Sequence, residues 1–318
     1  MTRPTFNPTI GPSPYILINM GARFVPCMRV TEGTEDVDLP CPESTTDDPT
    51  DPANSCSLAQ LCGFGAPDDG SQPSQWYRFI IPIFMHAGII HIGFNLLLQL
   101  TLGREMELAV GSFRFLLVYM SSGIFGFVLG GNFAPPAIAS TGASGSLFGI
   151  LALVLLDLAY TWNELRHPGR AFLIILVNIV ISFVLGLLPG LDNFSHIGGF
   201  LMGLVLGLSI LHSPNVLRQR IGEATVPYQP MASARQTQET GLTTFVKKPT
   251  AFFRGRKPAW WAWWLIRCGA LVGVLVSFVV LLNNFYVAKS ECSWCKHLSC
   301  LPVKDWCDIG NFETGDKG

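Results

Sequence analysis

Six long apolar stretches limit what this chain can become, at about residues 89–108, 115–133, 144–162, 171–188, 196–211 and 263–286. About 20 residues of helix cross the hydrocarbon core of a bilayer, and a helix satisfies its own backbone groups there. The predicted fold class is therefore all-α: a polytopic transmembrane helical bundle with six spans. Composition agrees, since 14% of residues are charged and 49% are hydrophobic, whereas soluble domains carry about 25% charge. Nucleic acid is excluded as a partner and the lipid bilayer is implied as one. Residues 1–20 lack a basic segment followed by a clean apolar run, so no signal peptide is expected.

Charge and cysteine divide the remainder. Residues 1–75 hold ten acidic residues against Arg3, Arg23 and Arg29, and read as an extracytoplasmic polar arm or loop. The run Tyr15–Met20 is too short to span. Residues 213–260 carry eight Lys and Arg against Glu223 and Glu239, which predicts a cytoplasmic, disordered basic linker. An additional transmembrane helix follows at 261–287, and a Cys-rich extracytoplasmic tail at 288–318. Eight of the nine cysteines fall in the two segments that charge places outside, where disulfides persist. Pairing stays open at both ends. The tail's Cys292, Cys295, Cys300 and Cys307 beside His297 could instead bind zinc, but an oxidising compartment favours disulfides, so no metal and no cofactor are expected. Together these features predict a multi-pass membrane protein of the secretory pathway, in the Golgi, the endoplasmic reticulum or the plasma membrane.

Polar residues inside the spans are the functional candidates, because burying them in lipid is expensive. Pro82 argues against one straight helix from Phe79 onward; a short interfacial piece to about Gly88 and then a span from Ile89 is expected. Alternation sends the spans that begin near Ile89, Ser144 and His196 in the same direction, so their first turns share one depth. His91, Asn95, Ser144 and His196 thereby meet just below the outer surface. These residue types fit acyl transfer. Ser144 serves as nucleophile and His196 as general base and later acid, while His91, Asn95 and the Ser144 N–H donate to the developing oxyanion. Gly145 and Gly149 on one helix, with Gly199, Gly203 and Gly207 on the other, let the two backbones approach closely. Asp192 reads as a helix cap and Asp157 lies too deep, so a Ser–His dyad is predicted.

The motifs His86-x4-His91-x3-Asn95, Gly142-x-Ser144-Gly145-x3-Gly149 and Ser195-His196-x-Gly198-Gly199 resemble the signature of the rhomboid intramembrane serine proteases. Gly103-x3-Glu107-x3-Gly111 and the Trp76 and Arg78 pair are similar to further family motifs, although Tyr77 separates a pair that is usually adjacent. The resemblance spans about residues 76–212, which it identifies as a rhomboid catalytic core. It implies a Ser144–His196 dyad, an oxyanion hole with His91 and Asn95, and Phe148 packed beside His196. It also implies cleavage of single-span transmembrane proteins near the outer surface. The trailing span is similar to the eukaryotic secretory-pathway branch, whose first helix finds no counterpart before Trp76.

Two other function classes remain to compare. A catalytically silent rhomboid-like protein would bind membrane clients without cutting them; the presence of both Ser144 and His196 favours the enzyme. A transporter would place its ionisable or helix-breaking residues near the bilayer midplane, whereas this cluster is shallow and one-sided.

Overall fold

The computed structural model describes residues 7, 9–31, 39–43, 54–66, 73–187, 192–221, 223, 255–290, 292 and 294–299. Most of the basic linker expected at 213–260, and the tail cysteines Cys300 and Cys307, lie outside the described residues.

Within the polar arm or loop expected over residues 1–75, the described residues form a small folded cap. Ser13 and Pro14 start helix α1 (Pro14–Asn19), with the Ser13 hydroxyl accepting the Ile16 N–H. Strands β1 (Leu39–Pro40) and β2 (Ser55–Cys56) pair antiparallel. Helix α2 (Leu58–Cys62) opens on a capping box between Ser57 and Gln60, which satisfies two otherwise orphaned N–H groups. Disulfides Cys27–Cys62 and Cys41–Cys56 close the unit around Tyr15, Ile18, Phe24, Leu39 and Leu61. Its polar centre is Arg78, which is fully buried. That guanidinium donates to Gln75 Oε1 at 2.6 Å and to the carbonyls of Ile18, Ala22 and Cys62 at 2.7, 2.6 and 2.5 Å. Burial pulls its pKa down to about 10, so it stays charged at neutral pH. Helices of six and five residues leave no periodic signal in a sequence, and for this reason hydropathy showed only polarity here.

The described residues of all six apolar stretches are largely helical. Two 3-10 turns around Pro82, Trp76–Phe79 and Ile81–Phe84, lead into α3 (Ile89–Leu98), which continues through a π turn at Gln99–Gly103 into α4 (Arg104–Val110). Gly111, with φ +88°, turns the chain into α5 (Ser112–Phe133). Next come α6 (Ser144–Tyr160), α7 (Pro168–Leu185), α8 (Asn193–Ile210), the short α9 (Asn215–Ile221), α10 (Pro258–Asn283) and α11 (Lys296–Ser299). Among the described residues three helices are long and apolar enough to cross a membrane, and the apolar helices at Ser144–Tyr160 and Pro168–Val184 are shorter. Outward-facing Leu173, Ile174, Val177, Leu271, Leu275 and Val279 are exposed, as a lipid-facing surface requires. This is a helical membrane bundle. In the tail, Cys292 pairs with Cys295.

Helix α8 sits at the centre, against α5, α6 and α10, and the main core gathers there around Phe125, Ile150, Leu153, Met202 and Leu206. Its glycines permit that position. A Cβ at Gly199 would overlap the carbonyl oxygen of Gly145, and one at Gly203 would overlap that of Gly149. Helices that touch backbone to backbone gain dispersion contacts that lipid tails cannot replace. Gly199→Ala is therefore expected to cost about 1–3 kcal/mol, the range for overpacking, read as a lower melting temperature in detergent. Gly269→Ala, where a Cβ meets nothing within 4 Å, is the neutral control. Equal melting of the two variants would refute the close contact.

Candidate active site at the first turns of three helices

Three helix starts meet under the cap. Asp192 caps α8, its carboxylate accepting the Ser195 N–H at 3.3 Å and the Ser195 hydroxyl at 2.5 Å. This puts His196 in the first turn. Gly142, with φ +123°, turns the chain into α6, whose first residue is Ser144. A side chain at Gly142 would be strained by that φ, and its Cβ would lie 2.7 Å from His91 Nε2. The first residues of α3 are capped by the cap domain: Ile89 and Ile90 donate their N–H groups to the carbonyls of Ile10 and Thr9, both at 3.1 Å.

The site residues predicted from sequence fall into two groups. Ser144, His196 and His91 come together. His196 Nε2 lies 2.8 Å from Ser144 Oγ, and the imidazole stacks on Phe148 with centroids 4.5 Å apart and planes 18° from parallel. His91 faces the same cavity. Its Nδ1 accepts the Ala87 N–H at 3.3 Å, so in the neutral ring the proton resides on Nε2, on the side of Gly142 and Ser144. Gly145 and Gly199 form the contact between α6 and α8 described above. His86 and Asn95 stand further back. His86 packs edge-on against His91 at 5.3 Å, and burial holds it below the usual histidine range. The Asn95 amide is buried and turned onto its own helix, donating to the His91 carbonyl at 2.9 Å.

Ser144 stands between two unlike spaces. On one side is a polar cavity of about 20 Å³ whose lining includes His91, Ser140, Thr141, Asp192 and His196; that is room for one water among several hydrogen-bonding groups. On the other is an apolar cavity of about 30 Å³ between α3, α6 and α7, lined by residues such as Leu98, Leu102, Phe148 and Ser182. The first N–H groups of α6 have no partner within the helix, and the positive end of the helix favours negative charge there. The arrangement sets a hydroxyl beside an imidazole, with a second histidine, room for a water and an apolar recess around them.

Sequence reasoning missed Arg23. Its side chain is 0% exposed and pairs with Asp192 at 3.1 Å, while its backbone exchanges two hydrogen bonds with Ser140, at 2.9 and 3.0 Å. One cap residue thus holds both the loop leading to Ser144 and the cap of the His196 helix. Burial lowers the pKa of Arg23, and Asp192 opposes that shift. Asp157, read as too deep for the site, instead faces His212 at 3.1 Å, where α6 ends.

Residues 73–213 match the rhomboid domain. The chain is 52% identical to "Rhomboid-type serine protease 2" of Emericella nidulans, over 98% of its own length and 66% of that protein. It is 32% identical to "Inactive rhomboid protein 1" of Homo sapiens and 31% to that of Danio rerio, in each case over 78% of this chain and 24% of the relative. It therefore spans just under two thirds of the first of these proteins and about a quarter of the other two.

Proposed function

Because the chain belongs to the rhomboid family, we propose that it is an intramembrane serine endopeptidase that hydrolyses peptide bonds in or near the transmembrane segments of single-span membrane proteins. The observation that carries this reading is the 2.8 Å approach of Ser144 Oγ to His196 Nε2 at the first turns of two helices. Such an approach lets the base take the hydroxyl proton as the oxygen attacks a carbonyl carbon. The resulting oxyanion meets the free N–H groups at the start of α6 and the Nε2–H of His91. One such donor is worth about 10²–10³ in kcat. Asn95 supports His91 from the turn below. His196 then gives its proton to the leaving amine, and a water from the polar cavity, deprotonated by the same ring, releases the acyl group from Ser144. The apolar recess on the far side of Ser144 receives a substrate side chain from the lipid.

The cap's disulfides and the basic linker support an orientation with the site facing an extracytoplasmic compartment of the secretory pathway. The alternative, a client-binding protein without catalysis, draws on the relatives named inactive. A fluorophosphonate probe separates the two. The wild type in detergent is expected to be labelled and Ser144→Ala to be blank. A folded wild type that takes up no label, or a mutant that labels equally, would remove the protease reading.

A further inference from the structure

His196 has two ring nitrogens, and Ser144 accounts for one. Nδ1 is buried and has no hydrogen-bond partner among the described residues. When Nε2 acts as base the ring proton sits on Nδ1, and once the serine proton has moved across, both nitrogens carry one. A buried N–H on a charged ring without an acceptor is costly. Three residues earlier on α8, Asn193 has the complementary deficit. It is 5% exposed, its Nδ2 donates to the Leu298 carbonyl at 3.0 Å, and its Oδ1 is buried without a partner. A carbonyl only accepts, so the NH₂ group must face Leu298 and the oxygen must face the other way. The two unsatisfied atoms look at the same place: a Cβ built on Gly186, at the end of α7, would lie 2.7 Å from both Asn193 Oδ1 and His196 Nδ1.

Resting on the protease reading, we infer that Asn193 is a positioning residue for His196, its Oδ1 accepting the Nδ1 proton as the ring becomes charged. Catalytic hydrogen bonds that are open in a resting enzyme commonly close as the reaction proceeds. An asparagine orients the histidine in the same way in papain-like proteases. Among the described residues no other nearby group takes the role. The Asp192 carboxylate is held by Arg23 and by Ser195. His91, with His86 behind it, approaches from α3 on the cavity side, Phe148 of α6 covers a ring face, and α7 presents Gly186. The tail thereby gains a purpose, because α11, following the Cys292–Cys295 bridge, supplies the carbonyl that fixes the Asn193 amide.

The test is the pH profile of kcat and KM on a single-span transmembrane reporter in detergent, with fluorophosphonate labelling in parallel. Asn193→Ala is expected to lose about 10²-fold in kcat, the low end for proton-transfer catalysis, with KM within about twofold and the acid limb moved to lower pH. The isosteric Asn193→Asp is expected to move that limb upward by about one pH unit or more, since a neighbouring carboxylate favours the imidazolium. Gly186→Ala, which puts a methyl group between the two atoms, should act like Asn193→Ala. A labelled wild type with an unmoved limb in Asn193→Asp, or with wild-type kcat in a folded Asn193→Ala, overturns this inference alone. If alanine fails to fold, the limb in Asn193→Asp decides. An unlabelled wild type overturns the protease reading and this inference with it.

Discussion

Ser144→Ala is expected to end processing of a co-expressed single-span reporter, with kcat lower by on the order of 10⁴–10⁶-fold, the scale seen when a serine protease loses its nucleophile. The size follows from the geometry. Among the described residues, Ser144 Oγ is the hydroxyl within hydrogen-bond reach of His196 Nε2, and in the proposed mechanism neither the oxyanion donors nor the water cavity can replace it. His196→Ala should fall by a similar factor, and the double variant by little more, because the two residues act as a unit. Cleavage is read by immunoblot, and by mass spectrometry of the released fragment; expression and melting temperature serve as controls. A Ser144→Ala variant that still cuts, or multiplicative losses in the double variant, would dissolve the dyad.

The second large effect is structural. Arg23→Ala should cost about 3–5 kcal/mol, because it leaves the buried Asp192 carboxylate without its counter-charge. For a chain of this size that lowers the melting temperature by on the order of 10 °C. Both partners are almost completely buried, at 0% and 1% side-chain exposure, so solvent screening offers no relief. Replacing the pair together is a different experiment. Arg23→Leu with Asp192→Asn removes both charges and should recover more than half of the loss, since a buried ion pair exchanged for neutral groups is often close to neutral. Thermal unfolding in detergent of the two singles and the double measures this. A melting temperature for Arg23→Ala within about 2 °C of wild type would show that the contact is incidental; for a chain of this length 2 °C corresponds to about 1 kcal/mol.

Much of the membrane part could be read from residues alone, for a physical reason. A bilayer allows few solutions, so long apolar runs translate directly into helices, and alternation of direction puts His91, Ser144 and His196 at one depth. Glycines four apart on two helices then predicted contact, and Gly199 against Gly145 is that contact. What escaped depends on single long-range partners. Arg23 meets Asp192 across 169 positions, and nothing in either neighbourhood announces the pairing. The cap's helices are too short for periodicity, and four cysteines in the arm allow three pairings, of which one is present. Asn95 was expected from its place near the start of its helix to donate to the reaction; in the structure its amide donates to the carbonyl one turn behind, the ordinary choice for a polar side chain with a backbone acceptor in reach, and that partner was not legible in the sequence. Asn193 drew no notice because a residue after an N-cap commonly has nothing to do.

The glycine ladder has a mechanical consequence. Where two rods touch at rungs below the place where their tips do work, the rungs act as a fulcrum: a small wedge low down swings the tips apart by more than its own thickness. Gly203 and Gly149 meet one turn beneath the rung at Gly199 and Gly145, and the serine and imidazole sit at the tips. Reach between those two groups is thus governed from below, by backbone atoms buried between the two helices.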